Sequence, residues 1–355
     1  MSSPCQPATL AELAEAVRSA PRVIAVGAGT KPRLAQIAGS CMRISTAKLT
    51  GFIEYEPSEF TFTALAGTPV REIAAILAER GQYLPFDPML GEAGATLGGT
   101  VAAGVNGPGR WRYGGLRDFI LGVRFVDGAG RVLRMGGKVV KNAAGFDLPK
   151  FFVGSAGRFG VLGEISFKVF PRPAATRTLR LRAADDAARV QILTAGAAAR
   201  WELDAIDAAL DEPAVYARLA GPEPALGGLA AEILGRFPGE ELPPDEARER
   251  WRAVGEFAWA PPGGSLVKLV ITPLQLPEVA AWVRVQEGAR AWCSAGGNVV
   301  YVARPAGAAW PASPWPGLRL RGDGELWLGP RRSYAVQEAV KATLDPEKRF
   351  PGLEE

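Results

Sequence analysis

The 355-residue sequence contains no histidine. Histidine is the commonest general base in enzymes and the commonest side-chain ligand of transition metals. Its absence excludes a Ser-His-Asp triad and any metal site built on imidazole. Acid–base chemistry in this protein therefore has to come from other side chains.

Cysteine is also scarce. The three cysteines, Cys5, Cys41 and Cys293, are odd in number and widely spaced, and no CxxC pattern occurs. A disulfide framework, a structural zinc or an iron–sulfur cluster held by this chain alone is therefore not expected. The first residues lack the basic and apolar regions of a signal peptide, and no apolar run is long enough for a bilayer. We expect a cytoplasmic protein.

No block of five like charges occurs, and 41 Lys and Arg face 37 Asp and Glu, giving a net charge of +4. Nucleic-acid-binding proteins usually cluster their basic residues on one face or in one segment. This mild and well-mixed balance fits an anionic small molecule at least as well as it fits a nucleic acid.

Hydrophobic periodicity and turn residues predict an α+β protein. Thr9 and Glu12 form a capping box for a helix over 10–20, and Thr68 and Pro69 are the predicted N-cap and first residue of another helix. Strands are predicted over 23–26, 42–45, 52–56, 60–66, 120–126, 131–135 and, with alternating burial, 163–169.

Composition changes after Pro173, where Ala- and Arg-rich helical patterns begin. Helices are predicted over 185–198, 245–257 and 333–344, with strands over 266–272 and 298–303. We therefore predict three parts: a domain over 1–173, a second α+β domain over 174–330, and a C-terminal helix and tail over 331–355.

Glycine-rich loops dominate the first part. A strand leads into Gly27-Ala28-Gly29-Thr30-Lys31-Pro32, whose glycines allow successive N–H groups to converge on an anion. A dinucleotide fingerprint of the Rossmann type would need glycine at Pro32 and an acid about 20 residues on, whereas the first downstream acid is Glu54. The NAD interpretation is therefore weak, and a plain tight turn remains an alternative.

Three further glycine motifs follow in the first part. The first is Pro85-Phe86-Asp87-Pro88 followed by Ala95-Thr96-Leu97-Gly98-Gly99-Thr100. The second is Asn106-Gly107-Pro108-Gly109-Arg110-Trp111-Arg112-Tyr113-Gly114, closed by Arg117-Asp118, and the third is the long segment from Lys138 to Pro173. Glycine costs folding entropy, so such density indicates backbone held close to a flat or anionic ligand. A run of surface loops between short strands is the alternative interpretation.

In order and spacing, these four motifs resemble the FAD-binding domain of the vanillyl-alcohol-oxidase/p-cresol-methylhydroxylase (PCMH-type) superfamily. Within that superfamily, the segments 99–118 and 141–171 look like the FAD-binding accessory subunits of bacterial glycolate oxidases. The resemblance covers roughly residues 5–173 and the closing motif at 345–352. It implies a PCMH-type FAD-binding domain of two α+β subdomains, followed by an α+β cap domain and a C-terminal helix that returns to the FAD domain.

The resemblance also implies non-covalent FAD and a role for each motif. The first pyrophosphate loop is implied to be Gly27, Gly29, Thr30 and Lys31. Residues close to the flavin ring are implied to be Asp87 and Pro88. Backbone contacts to the phosphates and ribose are implied for Thr96, Leu97, Gly98 and Gly99. The next loop is implied to be lined by Asn106, Gly107, Arg110 and Tyr113. Residues near the ribityl chain are implied to be Lys141, Gly145, Phe146 and Asp147. Main-chain contacts to the adenine half are implied for Gly160 and Val161.

Related D-2-hydroxy-acid dehydrogenases carry a His-x-Gly-Asp-Gly-Asn-x-His element for metal and base. Here Gly322-Asp323-Gly324 is present, but Leu320 and Trp327 stand where the histidines would be. A chance turn explains the tripeptide about as well as a degenerate remnant does. On either interpretation no metal site is expected, and the catalytic residues remain unknown. Arg331 and Arg332 are either anion-binding residues or solvated charges.

Three functions are compatible with these features. The first is an FAD-binding subunit of a glycolate oxidase complex, an accessory or electron-relay chain beside a homologous catalytic flavoprotein subunit and an iron–sulfur subunit. The resemblance implies oxidation of a small 2-hydroxy acid, glycolate to glyoxylate, with contact to the inner membrane only through partner subunits. The second is a self-sufficient FAD-dependent 2-hydroxy-acid dehydrogenase with Asp, Glu or Tyr as base. The third is a non-catalytic flavin-binding scaffold.

Overall fold

The computed structural model describes residues 4–137, 147–331 and 334–355. Its helices are Leu10–Arg18 (α1), Val70–Ala78 (α2), Leu97–Ala103 (α3), Arg110–Tyr113 (α4), Leu116–Phe119 (α5), Leu148–Phe151 (α6), Asp186–Ala198 (α7), Glu223–Arg236 (α8), Pro244–Gly255 (α9), Leu276–Arg284 (α10) and Tyr334–Leu344 (α11).

Its strands are Val23–Val26 (β1), Met42–Ser45 (β2), Phe52–Glu56 (β3), Thr61–Leu65 (β4), Gln82–Tyr83 (β5), Ile120–Val126 (β6), Val132–Gly136 (β7), Val161–Lys168 (β8), Phe170–Pro171 (β9), Ala175–Arg182 (β10), Ala205–Ala209 (β11), Ala214–Gly221 (β12), Gly239–Glu241 (β13), Ser265–Val270 (β14), Arg290–Ser294 (β15), Val299–Arg304 (β16), Gly317–Arg321 (β17) and Trp327–Leu328 (β18). The α+β class predicted from the sequence is confirmed.

The first half is built on an antiparallel sheet in the order β3-β4-β8-β6-β7, beside a parallel pair of β1 and β2. The hairpin predicted around Asp127–Gly130 is present as β6 and β7. The predicted alternation of β8 is wrong, because six of its eight residues are buried. Its polar residues Glu164, Ser166 and Lys168 share one face, but the strand lies in the middle of the sheet, so Ser166 on that face is also buried and bonds to the Thr63 hydroxyl.

The second half is a nine-stranded antiparallel sheet in the order β13-β10-β12-β11-β15-β16-β14-β17-β18. One face packs under α7, α8 and α10 through a cluster that includes Ile192, Ile233 and Val279. The other face packs on the first half, where Tyr301 and Leu320 join the cluster around Val70 and Val105. Ligands that contact both halves would therefore lie along this second face.

The N-terminal ends of α1 and α2 can be compared with the caps predicted for them. Thr9 caps α1, since its Oγ1 accepts from the Glu12 N–H at 3.1 Å. Thr68 does not cap α2, which begins one residue later with Pro69 as its N-cap. The Thr68 hydroxyl instead accepts from the Gly51 N–H and donates to the Leu65 carbonyl, so it closes the end of β4.

The C-terminal tail contacts the first half directly. The Asp345 carboxylate is buried and accepts from the N–H groups of Arg349 and Phe350 while it pairs with Lys341 at 2.6 Å. The carbonyl of Arg349 then accepts from the Val23 N–H at the start of β1. The tail is thereby attached to the strand that leads into the first glycine loop. In the described ranges, no helix is both long and apolar enough to cross a membrane.

Candidate functional site

A cleft opens where β1, β2, α3 and the glycine-spaced turn before β8 meet. It holds about 750 Å³ of empty space, counting the solvent at its mouth. Its walls are Ala25–Lys31, Leu34, Ala35, Thr46, Ala66, Thr96, Gly98, Gly99, Ala102, Ser155–Gly157 and Gly160–Leu162. Three motifs that are far apart in the sequence therefore meet at one place.

The loop after β1 presents unpaired donors to this cleft. The N–H groups of Ala28, Gly29, Thr30 and Lys31 donate to no atom of the described residues. Gly29 has φ +72°, a left-handed conformation that favours glycine and turns successive N–H groups toward a common point. Ala28 and Gly29 are exposed, Thr30 is half-buried and Lys31 is buried, so these donors are accessible to a ligand from the cleft. The loop therefore has the form of an anion cradle.

Lys31 adds a cation to the cradle. Its side chain is only 8% exposed, and Nζ is 3.0 Å from the Thr30 Oγ1, the sole hydrogen-bond partner that the described residues offer it. Burial lowers its pKa to about 8, and the distant charge of Glu256 only partly offsets this shift. A buried ammonium group without a carboxylate is costly, and an anion in the cleft would relieve that cost.

Close packing fixes the opposite wall. A Cβ on Gly27 would lie 2.5 Å from the Thr96 Oγ1, so the Gly27 backbone packs directly on the side chain of Thr96, the N-cap of α3. The N–H groups of Leu97 and Gly98 donate to the carbonyls of Thr68 and Ala66 at 2.9 and 2.7 Å. Since those two donors already have partners, this wall contributes to ligand binding more through its shape than through hydrogen bonds.

A second, larger space, the chamber, lies between the two halves and touches the cleft at Ser155. Arg110 and Lys268 both line it. The Lys268 Nζ donates to the Gly104 carbonyl at 2.7 Å, and the Arg110 guanidinium has no hydrogen-bond or ion-pair partner among the described residues. Burial and the nearby Arg110 lower the pKa of Lys268 to about 8. The chamber is therefore electropositive.

The structure brings nine predicted site residues together in the cleft. They are Gly27, Gly29, Thr30, Lys31, Thr96, Gly98, Gly99, Gly160 and Val161. Asn106 and Arg110 line the chamber instead. The Asn106 amide is already engaged, since Oδ1 accepts from the Leu116 N–H at 2.7 Å and Nδ2 donates to the Gly104 carbonyl.

Other predicted residues lie elsewhere. Leu97 is buried in the core, Gly107 packs against the Asp87 backbone, and the Tyr113 ring packs edge-on to Phe170 with centroids 5.1 Å apart. Asp87 and Pro88 line a different groove between the two halves. Asp147 caps α6 through its Oδ1 and does not line either space. Lys141, Gly145 and Phe146 lie outside the described residues.

The Asp87 carboxylate accepts hydrogen bonds from two partners. Its Oδ2 accepts from the Gly109 N–H at 2.9 Å and from Arg218 at 2.5 Å, and Arg218 also pairs with Asp204. The residue adopts φ +48°, and its carboxylate contacts Arg218 of the second half. Asp87 lines neither the cleft nor the chamber, and its position beside the flavin ring remains a prediction.

Sequence reasoning missed Thr46, Ser155 and Lys268 as lining residues. Thr46 directly follows β2, parallel to β1, so the two strand ends meet at the cleft. Lys268 is a single cation inside an otherwise apolar strand, and that isolated charge was the available signal. Ser155 belongs to the glycine-spaced turn, but its position at the junction depends on the tertiary fold.

The Gly322-Asp323-Gly324 turn lines neither the cleft nor the chamber. Across the described ranges, no group of three or more Cys, Asp or Glu side chains is arranged to hold a metal ion. Asp323 and the two glycines lie beside the Trp310 loop. Arg331 donates to the Leu353 carbonyl and pairs with Glu354, so it holds the tail. Arg332 lies outside the described residues.

Comparison with known families gives this cleft a context. Residues 4–136 match the family described as an FAD binding domain. This range contains β1, its loop and α3, which form two walls of the cleft. The resemblance to an FAD-binding domain that the sequence predicted is confirmed.

Among curated proteins, the chain is 41% identical over 209 residues to glycolate oxidase subunit GlcE of Escherichia coli, covering 58% of this chain and 56% of that protein. It is 32% identical over 127 residues to glycolate oxidase subunit GlcD of Bacillus subtilis, covering 36% and 27%. It is 30% identical over 141 residues to a D-lactate dehydrogenase of Anaerostipes hadrus, covering 40% and 29%. The matches thus span about half the length of the first relative and under a third of the other two.

Among solved structures, alkyldihydroxyacetonephosphate synthase superposes with a TM-score of 0.70 at 15% identity. The superposition covers 97% of this chain and 74% of that one. The similarity therefore shows that both halves share a known fold, and at this identity it shows nothing about substrate.

Proposed function

We propose that this chain is an FAD-binding subunit of a glycolate oxidase complex that holds FAD non-covalently. The diphosphate would lie over the loop Ala28–Lys31, the adenosine half toward Gly160 and Val161, and the ring end toward the chamber through the junction at Ser155. When bound, FAD supplies the acceptor for the hydride of a 2-hydroxy acid. The residues of this chain bind, orient and shield it.

One observation carries the proposal. Four successive N–H groups without a partner among the described residues, and a buried ammonium without a carboxylate, belong to residues that line the same cleft, inside the segment that matches an FAD binding domain. A diphosphate offers the negative charge and acceptor oxygens that such a cradle lacks. The fit rests on the donors of this chain and on the shape set by Gly27 and Thr96.

Non-covalent attachment is supported by the composition of the walls. The described residues that line the cleft and the chamber include no cysteine or tyrosine, and the sequence contains no histidine. These are the side chains that a covalent flavin link would use. Acid or heat treatment is therefore expected to release intact FAD.

The proposed accessory role rests on the residues that line the chamber. Oxidation of a 2-hydroxy acid requires a group that accepts the hydroxyl proton. Among the described residues of the chamber, the carboxylate is Asp118, which is exposed and accepts from the Gly115 N–H at 2.8 Å. We propose that a homologous flavoprotein subunit carries out the oxidation, and that an iron–sulfur subunit passes electrons on. The chain would then be cytoplasmic, with contact to the inner membrane only through its partners.

The chamber favours a second candidate, a self-sufficient 2-hydroxy-acid dehydrogenase. Arg110 is an unpaired cation suited to a carboxylate, and Lys268 loses its proton near pH 8 and so offers a base. Its matched test is Lys268→Met against Lys168→Met, which alters a lysine of β8 beyond the cleft and the chamber.

Anaerobic titration separates the two candidates. With FAD bound to the isolated chain, the accessory role predicts that excess glycolate or D-lactate leaves the flavin absorbance unchanged, whereas bleaching that Lys268→Met abolishes would establish the second candidate. Purification from the native host tests the complex. Co-purification with a second flavoprotein and an iron–sulfur subunit is the expected result, and a lone monomer would contradict it.

A further inference from the structure

The anion-binding loop is followed by a short 3-10 helix, Pro32–Ala35, and that helix is held by the second half of the protein. The Arg33 Nε donates to the Gly324 carbonyl at 2.7 Å, while its NH1 donates to the Gln36 carbonyl at 2.6 Å. One guanidinium therefore joins the helix to the Gly322-Asp323-Gly324 turn, 291 residues away in sequence.

The conformation of the turn places the Gly324 carbonyl within reach of Arg33. Gly324 has φ +114°, a conformation that side chains other than glycine rarely adopt. Beneath it, the Arg319 Nε donates to the Glu325 carbonyl at 2.9 Å, and its buried guanidinium packs 3.1 Å from where a Cβ on Gly324 would lie. The strand β17 thus supports the turn from below.

Two further contacts hold the same 3-10 helix. Leu34 packs against the apolar cluster that contains Leu320 and Leu326 of the second half. The Leu34 carbonyl accepts from the Arg158 NH1 at 2.9 Å, and Arg158 belongs to the glycine-spaced turn on the far wall of the cleft. The helix is therefore fixed between the second sheet and the opposite wall.

The loop itself makes few contacts of its own. Its N–H groups from Ala28 to Lys31 are unpaired, so its direction depends on β1 at one end and on the 3-10 helix at the other. We propose that Arg33 is a positioning residue, through which the Gly322–Gly324 turn of the second half aligns the loop for the diphosphate. The second sheet then contributes to FAD affinity without contacting FAD, an inference that rests on the proposed FAD site.

The test measures two quantities for the purified full chain and each variant. The first is the FAD dissociation constant, from flavin fluorescence, and the second is the thermal unfolding midpoint of the apo-protein. Arg33→Ala is expected to weaken FAD binding about tenfold, the effect of one lost charge-assisted hydrogen bond, with the apo midpoint little changed. The matched control is Arg18→Ala, which also loses a bond to a backbone carbonyl, that of Gly130 at 2.7 Å, but far from the cleft. It should retain the wild-type dissociation constant.

Arg33→Lys keeps the charge but cannot reach both carbonyls, so it should weaken binding as Arg33→Ala does. Wild-type affinity in Arg33→Lys would show that charge alone matters and would overturn the positioning role. Wild-type affinity in Arg33→Ala would overturn it as well, with the proposed FAD site intact.

If Arg33→Ala does not fold, Gly324→Ala disturbs the turn and leaves Arg33 in place, with the same expected loss of FAD affinity. Failure of the wild-type chain to bind FAD would reject the proposed function and this inference together.

Discussion

Lys31 and Thr30 form a pair in which the ammonium group bonds to its neighbour's hydroxyl at 3.0 Å and to no carboxylate of the described residues. The arrangement stores an unfavourable energy in the apo-protein. Lys31 is 8% exposed, and burial lowers its pKa from 10.5 to about 8. A group that is costly without a ligand and suited to an anion marks a binding site more firmly than a favourable contact does.

Lys31→Met is therefore expected to stabilise the apo-protein while it weakens FAD binding. At pH 7 the lowered pKa corresponds to at most about 3 kcal/mol of unfolding free energy, which the apolar side chain would recover. Urea unfolding of the apo-protein and FAD titration measure the two effects. Lys48→Met, at an exposed lysine outside the cleft, is the control and should change neither. Loss of both stability and affinity in Lys31→Met would contradict this account.

FAD affinity is expected to fall as the pH rises from 7 to 9. The apo-protein loses the Lys31 proton near pH 8, whereas an anion in the cleft raises the pKa of that group, so binding takes up a proton in this range. The stability of the apo-protein has the opposite pH dependence. The unfolded chain holds the Lys31 proton more tightly than the folded chain does, so the free energy of unfolding rises between about pH 8 and 10. Titrations at pH 7, 8 and 9 test this, and Lys31→Met should show a flatter dependence.

The ion pairs of Arg218 with Asp87 and Asp204 join the two halves. Arg218→Met removes the cation and leaves two carboxylates close together, and burial already raises the pKa of Asp204. We expect a loss of about 3–5 kcal/mol in unfolding free energy, the cost of breaking a buried pair. Arg248→Met, at an exposed arginine that pairs with Asp245, is the control. An unchanged urea midpoint in Arg218→Met would show that the pairs do not form.

Asp345 attaches the C-terminal tail to the first half. Asp345→Asn keeps the shape but loses the charge that balances Lys341 and one acceptor for the two N–H groups. The expected cost is about 2–4 kcal/mol, together with faster proteolysis after residue 344. Glu347→Gln, at an exposed carboxylate, should behave as wild type. Equal proteolysis rates in the two variants would refute the role of Asp345.

Local signals predicted much of the first half. Val23–Val26 is an apolar run closed by glycine, with its first two residues buried, and the loop after it lines the cleft. The side-chain direction of Asp87 was not predictable, since it depends on its positive φ and on Arg218, 131 residues later. The same limit applies to Lys268 and Arg33, because the partner of each lies in the other half of the protein. The predicted domain limits at 173 and 330 and the individual FAD contacts remain predictions.

We propose that the cleft between Ala28–Lys31 and α3 holds FAD. Equilibrium titration of FAD into the purified apo-chain at pH 7, followed by flavin fluorescence, tests it most directly. We expect saturable binding of one FAD per chain, which Lys31→Met weakens and Lys48→Met does not. An apo-chain that is folded and leaves the fluorescence of added FAD unchanged, or binds FAD equally well with Lys31→Met, would contradict it.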